Sequence, residues 1–317
     1  MLRWVFVGII FVLTACSSSH EDAPVKATEI EKETETATDY IIKRTTLEGQ
    51  EAIEIGNLLL DNYLYFFDIW EPVKYDTLDW EMDPYDDPSW VLYNQSLRPV
   101  SFLCNAYEET GDPVYLEKAK AMVSDWIENH DPNNPEMWYV QRTSSRMLNF
   151  TYLLEMLKIE GDDDEDFYNS VVNTFPNHAE VLMSDDGYRW SNHGIMQDRA
   201  LIQMALLHPD VAGSDEWLQK GLSRLNQRLS SDKYISETGV NKEHAPNYHY
   251  LVLLMLYETQ QLLEYHGHTL DHLDKLEQMK EHLAYVLKPD GEYPIISDST
   301  NDVHMDVEDD FENYHNK

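Results

Sequence analysis

Apolar residues recur at the spacing of an α-helix through almost the whole middle of this sequence, and that periodicity constrains its fold more than any other feature. A representative series is Leu97, Val100, Cys104 and Tyr107. No alternating strand pattern of any length competes with it, and the 12 glycines in 317 residues also favour helices over turn-rich β architectures. Because the connections between helical segments are short, neighbouring helices are expected to run antiparallel. The sequence therefore predicts an all-α fold built from helical hairpins.

The order of the predicted helices also indicates where functional residues gather. Helices are expected to begin near residues 89, 113, 138, 165, 191, 214, 246 and 269. In an antiparallel series every second helix points the same way, so the starts near 89, 138, 191 and 246 share one rim of the assembly. The opposite rim is predicted to carry ordinary linkers. The chemically versatile residues at the four shared starts are Tyr85, Trp90, Arg142, Arg146, Asn192, His193, His244, Tyr248 and His249.

Asn192, His193 and Tyr248 suit one reaction in particular. They are expected in the first turns of two helices, where free backbone N–H groups and the positive end of the helix dipole favour an anion. A uronic-acid carboxylate held there is partly neutralised, so the adjacent carbon loses its proton more easily. A histidine takes up a proton near neutral pH, and a tyrosine donates one or, with a lowered pKa, accepts one. These residues therefore predict β-elimination at a uronic acid.

Other residues of this rim are predicted to bind the substrate. Arginine is suited to hold a sugar carboxylate through two parallel hydrogen bonds, and aromatic rings are suited to stack on a sugar face. Each side chain also has a structural interpretation: the tryptophans as core residues, the arginines as helix-face charges, and the tyrosine and histidine near 248 as aromatics at the edge of the core. The predicted substrate-binding residues are Arg142, Arg146, His244, His249, Tyr85 and Trp90.

The net charge of −36, from 23 basic and 59 acidic residues, excludes a protein that binds nucleic acid through general electrostatics. It also opposes long-range attraction of a polyanionic glycan. Screening limits exposed charge interactions to about 8 Å at physiological salt, so only a local cationic patch is expected to hold an acidic sugar. The candidates for that patch are Arg142, Arg146, Arg189, Arg199 and His193.

The first residues read as an export signal. Arg3 precedes a short apolar run, and residues 13–16, Leu-Thr-Ala-Cys, resemble a bacterial lipobox in which Cys16 is acylated. An ordinary signal peptide cut nearby is the alternative. A lipid on Cys16 would anchor the protein without a spanning helix and would leave Cys104 without a disulfide partner. The expected organisation is a signal peptide over 1–16, a polar tether over 17–45, a globular part over 46–300 and an acidic tail over 301–317.

Several motifs resemble those of heparinase II/III-type polysaccharide lyases and related alginate lyases. Residues 190–201 contain an Asn-His-Gly block similar to that of the family, and residues 243–249 are similar to its Glu-His-Ser-Pro-x-Tyr-His segment. Residues 80–90, 143–146 and 289–299 also resemble family segments, and all these motifs follow the family's order. The resemblance covers about residues 50–300 and implies an incomplete α/α toroid that carries out β-elimination on a uronic-acid glycan.

The resemblance also implies individual roles. By similarity, Asn192 neutralises the substrate carboxylate, His193 is the base or a partner of the carboxylate, and Tyr248 is the acid or the combined acid and base. No cofactor is implied. Members of the family usually continue into a large β-sandwich that supplies the second wall of the cleft and holds the familiar metal site. The expectation for this chain is therefore no metal site, and a separate β-sandwich protein as one way to complete the cleft.

The sequence leaves three functions open. The first is a lipid-anchored, exported polysaccharide lyase of the bacterial cell envelope, acting on an acidic polysaccharide or oligosaccharide. The second is a non-catalytic or partner-dependent glycan-binding lipoprotein that uses the same rim. The third is a glycoside hydrolase on an α/α toroid, for which Asp86, Asp87 and Glu243 offer carboxylates.

Overall fold

The computed structural model describes residues 38, 40–288, 292–297 and 299. Helices dominate these residues, and a single pair of short antiparallel strands, β1 (Tyr63–Leu64) and β2 (Val73–Lys74), accompanies them there. The all-α prediction is confirmed. The helices are α1 (Gly49–Leu60), α2 (Pro88–Gln95), α3 (Arg98–Thr110), α4 (Val114–Asn129), α5 (Val140–Glu160), α6 (Glu165–Val172), α7 (Phe175–Met183), α8 (Asn192–Leu207), α9 (Ser214–Ser230), α10 (Pro246–Tyr265) and α11 (Asp274–Val286).

The helices form two layers. In the inner layer α3 packs on α5, α5 on α8 and α8 on α10, while α4, α7, α9 and α11 pack against them from outside. The inner helices α5 and α8 run in the same direction, because Gln141 contacts His193 at their starts and Thr151 contacts Gln203 further along. This arrangement is an incomplete α/α toroid, and it explains why α5 and α8 are buried on nearly all sides.

Two helices predicted as single are broken. The helix expected to begin near 89 consists of α2 and α3, because Leu97 adopts a left-handed conformation with φ of 53° and Pro99 lies in the first turn of α3. The helix expected near 165 consists of α6 and α7, with Pro176 in the first turn of α7. The count of alternating helices was therefore wrong, but the starts of α5, α8 and α10 still share one rim.

The segment just before α1 is part of the fold. The N–H of Ile42 donates to Oε1 of Gln203 at 2.7 Å, and Nε2 of Gln203 donates to the carbonyl oxygen of Ile42 at 3.1 Å. Arg44 donates from Nε to the hydroxyl of Ser145 at 3.0 Å. The prediction of a tether reaching residue 45 is wrong for residues 40–45, because buried contacts with α5 and α8 hold them.

Most other predictions for the two ends of the chain concern residues that the structure does not describe. Cys16, the signal segment, most of the tether and the acidic tail lie outside the described residues. Cys104 is a buried free thiol, as expected of a core residue, and burial raises its pKa well above the ordinary value. Within the part of the chain that the structure describes, no helix is long and apolar enough to cross a membrane.

Candidate active site

The first turn of α8 uses its backbone N–H groups within the chain. Ser191 caps the helix: its hydroxyl accepts from the N–H of His193 at 3.3 Å, and its carbonyl oxygen accepts from the N–H of Gly194 at 3.0 Å. The N–H of Asn192 donates to Oε1 of Glu243 at 2.7 Å. The prediction of free N–H groups is therefore wrong for the first three residues of α8, because the protein supplies their acceptors.

Glu243 fixes the start of α8 against the start of α10. It lies three residues before the first residue of α10 and is partly buried. Burial raises the pKa of its carboxyl group, while the hydrogen bond from Asn192 and the charge of Arg228 act in the opposite direction. The hydrogen bond between Asn192 and Glu243 thus brings together the two helix starts that carry the predicted catalytic residues.

A buried arginine holds the chain as it enters α8. Arg228 of α9 is 1% exposed and donates to the carbonyl oxygens of Trp190 at 3.1 Å and Ser191 at 3.0 Å. Its guanidinium lies near the rings of Trp190 and Tyr234, which stack on each other with centroids 4.5 Å apart. These contacts leave little freedom to the cap residue and so orient the side chains of the first turn.

The glycine and the aspartate of the Asn-His-Gly block have structural roles. A Cβ atom at Gly194 would lie 2.2 Å from the carbonyl oxygen of Arg189 and 2.8 Å from Cζ of Tyr188, so no other residue fits without movement. The hydroxyl of Tyr188 donates to Oδ2 of Asp198 at 2.6 Å, and Arg224 donates to Oδ1 at 3.4 Å. Burial raises the pKa of Asp198 to about 7. This network packs the loop before α8 tightly onto the helix.

His193 is oriented by a side chain of the neighbouring inner helix. Nε2 of Gln141, in the first turn of α5, lies 2.7 Å from Nε2 of the imidazole and donates to it. Nδ1 then carries the ring hydrogen, and it has no partner among the described residues. Burial, and to a lesser extent the charge of Arg189, lower the pKa of His193. The ring is therefore neutral at pH 7, and the lone pair on its Nε2 accepts the hydrogen bond from Gln141.

Tyr248 lies in the first turn of α10 and is partly buried. Its hydroxyl makes no hydrogen bond within the described residues. The next residue, His249, is 4% exposed; its Nδ1 accepts from the N–H of Asn241 at 3.2 Å, and its Nε2 donates to the carbonyl oxygen of Met279 at 2.9 Å. The predicted substrate-binding role of His249 is wrong, because both ring nitrogens are engaged in the interior. Its role is to hold the first turn of α10, and with it Tyr248.

Arg146 is a core residue. It is 0% exposed and donates to Nε2 of His178 at 2.9 Å, to the carbonyl oxygen of Gln95 at 2.7 Å and to that of Met137 at 3.2 Å. Its guanidinium also lies 4.3 Å from the ring centroid of Trp126, and burial lowers its pKa to about 9. The predicted substrate-binding role of Arg146 is wrong, because every face of the group is covered by protein.

Arg142 lies in the first turn of α5, beside Gln141. It is 7% exposed and donates to the carbonyl oxygen and to the carboxylate of Glu136, the latter at 3.1 Å. Its Nε has no partner among the described residues. His244 is exposed and has a left-handed backbone with φ of 61°. Arg142 and His244 remain predicted substrate-binding residues on this rim.

The predicted sugar-stacking aromatics differ from each other. Trp90 is 0% exposed and packs edge-on against Phe66 and Trp70, so its predicted contact with substrate is wrong. Tyr85 is 36% exposed, stacks beside Trp70 and donates from its hydroxyl to the carbonyl oxygen of Glu71 at 2.6 Å. The hydrophobic effect buries the larger indole ring, and only the tyrosine keeps an accessible face.

The comparison with known families identifies the chain. The family model for the heparinase II/III N-terminus matches residues 22–316. The chain belongs to the heparinase II/III family. This confirms the resemblance carried by the motifs around Asn192 and Tyr248.

Solved structures share the heparinase II/III fold of this chain. A heparinase III structure is 20% identical, with a TM-score of 0.65, over 80% of this chain and 42% of its own. The heparan sulfate lyase HepC from Pedobacter heparinus is 18% identical, with a TM-score of 0.65, over 83% of this chain and 43% of its own. The chain spans less than half the length of these proteins, and the likeness is one of fold. No curated protein matches the chain.

Two residues of this heparinase II/III site were missed or misread in the sequence. Gln141 was not predicted, although its position beside Arg142 in the first turn of a rim helix is a usable signal. Glu243 was considered only as a carboxylate for hydrolysis, whereas its Oε1 holds the N–H of Asn192. Within residues 38–299 as far as they are described, no group of three or more histidine, cysteine or carboxylate side chains is arranged to hold a metal ion.

Proposed function

We propose that this chain is the toroid part of a polysaccharide lyase that cleaves a uronic-acid-containing glycan by β-elimination. The main support is the position of Asn192, His193 and Tyr248 in the first turns of two adjacent helices that the Asn192–Glu243 hydrogen bond joins. Membership of the heparinase II/III family and the shared fold with a heparan sulfate lyase favour the same reaction class.

The reaction needs a base, an acid and a group that stabilises negative charge. The base removes the proton from the carbon next to the carboxylate, the released electron pair forms a carbon–carbon double bond, and the glycosidic C–O bond breaks. The departing oxygen then takes a proton from the acid. The hydrogen on Nδ1 of His193 has no partner among the described residues and suits a donor to the substrate carboxylate, whereas Nε2 serves as the base only when the side chain of Gln141 gives way. The hydroxyl of Tyr248, which makes no hydrogen bond within the described residues, suits the acid or a combined acid and base.

The side chain of Asn192 is the proposed donor to the substrate carboxylate. Its backbone N–H is occupied by Glu243, so only the amide group of the side chain is left for a ligand. Removing one such donor in a well-studied enzyme costs about 3–4 kcal/mol of transition-state stabilisation. A second carboxylate beside an ionised Glu243 is repelled, and the side-chain amide of Asn192 has to offset this repulsion.

Arg142, His244 and Tyr85 are the proposed contacts to the rest of an acidic polysaccharide or oligosaccharide. Tyr85 keeps a partly accessible face and His244 is exposed, whereas Arg142 is only 7% exposed and has an Nε without a partner among the described residues. We further propose that a β-sandwich of the kind found in the family completes the cleft. The lipobox around Cys16 supports an exported lipoprotein of the bacterial cell envelope, anchored to the membrane through its N-terminal lipid.

The test is turnover of defined glycans. Purified protein is incubated with heparan sulfate, alginate and hyaluronan, and the ultraviolet absorbance of the unsaturated uronate is followed. Tyr248→Phe is expected to lower the rate by about 10²–10⁴-fold, the usual contribution of a general acid or base. Tyr257→Phe is the matched control, because Tyr257 is on the same helix but contacts Glu277 of α11.

The possible outcomes separate the candidate functions. Absorbance that appears with one glycan and is lost in Tyr248→Phe supports the lyase. Glycan binding without turnover, even after a family β-sandwich is added, favours the binding protein. New reducing ends without ultraviolet absorbance indicate hydrolysis.

A further inference from the structure

A cavity lies on the rim opposite the candidate active site. It has a volume of about 460 Å³ and is formed by the last turns of α5, the segment leading into α6 and the end of α8. His208, which lines it, follows His193 by 15 residues along the axis of α8, a rise of about 22 Å. The cavity is therefore separate from Asn192, His193 and Tyr248, and its volume is in the range of small-molecule sites.

A buried histidine in this cavity has an unused hydrogen-bonding atom. His208 is 4% exposed, and its Nδ1 lies 3.2 Å from the hydroxyl oxygen of Tyr168. Its Nε2 is buried and has no partner among the described residues. Burial, with a smaller contribution from Lys158, lowers the pKa of His208 to about 4, so the ring is neutral at pH 7. Whichever tautomer is present, a hydroxyl group satisfies Nε2, because a hydroxyl both donates and accepts.

The charges around the cavity exclude an acidic ligand. Five carboxylates and one lysine line it: Glu155, Lys158, Asp162, Asp163, Asp164 and Glu165. Lys120 pairs with Asp162 at 2.7 Å and with Asp164 at 3.0 Å, and Lys158 pairs with Glu155 at 3.2 Å. The exposed carboxylates of the same segment, at 163 and 165, have no basic partner in the described part of the chain. The site therefore favours a positively charged ligand over an anion.

Aromatic side chains complete the lining. Phe167 is nearly buried, and Tyr168 is 40% exposed. An aromatic face beside hydrogen-bonding groups suits a ring that carries hydroxyl groups on its edge and C–H groups on its face. We propose that this cavity binds a small hydroxylated amine of the amino-sugar class: its hydroxyl groups meet His208 and Tyr168, and its ammonium group meets the carboxylates at 163 and 165.

Calorimetric titration of the full chain with glucosamine, glucose and glucuronate tests this assignment. Glucosamine is expected to bind more tightly than glucose, and glucuronate is expected to give no saturable heat. His208→Asn keeps a polar atom near the position of Nδ1 and removes Nε2, so we expect about a ten-fold loss of glucosamine affinity. Asp163→Asn combined with Glu165→Gln is expected to cost about two- to five-fold per charge.

The control variant removes the same number of negative charges at a place distant from the cavity. Glu51→Gln combined with Glu54→Gln alters two exposed carboxylates of α1 and should leave glucosamine binding unchanged. Should His208→Asn fail to fold, the double variant Asp163→Asn/Glu165→Gln still tests the proposal. Equal binding of the three sugars, no saturable binding of glucosamine, or unchanged affinity in the cavity variants would overturn the proposal. The readout involves no turnover, so it is independent of whether the opposite rim is a lyase site.

Discussion

The backbone N–H of Asn192 and Oε1 of Glu243 lie 2.7 Å apart, and this hydrogen bond joins the starts of two inner helices of the toroid. A carboxylate from the chain itself thus occupies a position where the sequence predicted a ligand carboxylate. The first turn of α8 is consequently held in place before any substrate arrives, which is the kind of preorganisation that electrostatic catalysis requires.

Glu243→Ala should destabilise the protein by about 1–2 kcal/mol, because the N–H of Asn192 loses its acceptor at a helix start. Glu243→Gln retains an acceptor oxygen and should cost clearly less. Chemical denaturation of both variants gives the measurement. An equal loss of stability in the two variants, relative to the wild type, would show that the charge, and not the hydrogen bond, holds the two helices together.

The proposed lyase activity should decline on acidification only below the ordinary histidine pKa of about 6.5, because burial and Arg189 lower the pKa of His193. Protonation of Nε2 removes the lone pair that accepts from Gln141 in the neutral ring and that a histidine base needs. Arg189→Gln should raise the pKa of His193 and move the acidic limb of the kcat/KM profile to higher pH. Lys158→Gln, an exposed charge change near the opposite end of α5, is the control and should leave the limb unchanged. An identical shift of the acidic limb in both variants would contradict a local effect of Arg189 on the pKa of His193.

His249 should make the protein less stable in acid. Its folded pKa is lowered to about 4, chiefly by burial, so the unfolded chain binds a proton more readily. The stabilisation is complete above the unfolded pKa of about 6.5 and is lost as the pH falls from there towards 4. The expected contribution between pH 7 and pH 5 is about 1–2 kcal/mol.

The measurement for His249 compares unfolding free energies of the wild type and His249→Asn at several pH values. The comparison cancels the effects of the many surface carboxylates. The variant should be less stable at pH 7 and should lose less stability on acidification. Parallel curves for the two proteins would mean that His249 does not titrate on unfolding.

Arg146→Met should destabilise the protein by about 3–5 kcal/mol, because the carbonyl oxygens of Gln95 and Met137 and the ring of His178 lose their buried donor. Arg142→Gln should cost less than Arg146→Met, since Arg142 donates to one residue, Glu136, whose side chain is 70% exposed. Arg142→Gln should instead weaken glycan binding. Thermal unfolding and glycan titration of both variants separate a structural arginine from a substrate-binding one, and a stable Arg146→Met with weakened binding would reverse the assignment.

The sequence predicted the fold class well because helical periodicity is a local property. The spacing of residues such as Trp217, Leu225 and Leu229 is enough to show which face of α9 is buried. The break at Leu97 was not predicted, since a left-handed residue that is neither glycine nor asparagine has no clear local signal. The start of the fold was placed too late, because the contacts that hold Ile42 come from Gln203, 161 residues away.

The sequence by itself determined the family, the helical architecture and the gathering of Asn192, His193 and Tyr248 on one rim, because motif order and helix order are written along the chain. Only the tertiary structure decided which polar residues are free to act. Arg146 and His249 carry groups that could bind a sugar, yet both are enclosed, whereas Gln141 reaches the imidazole of His193 from another helix. The reason is physical: a buried polar group must find partners, and those partners come from segments that are distant in sequence.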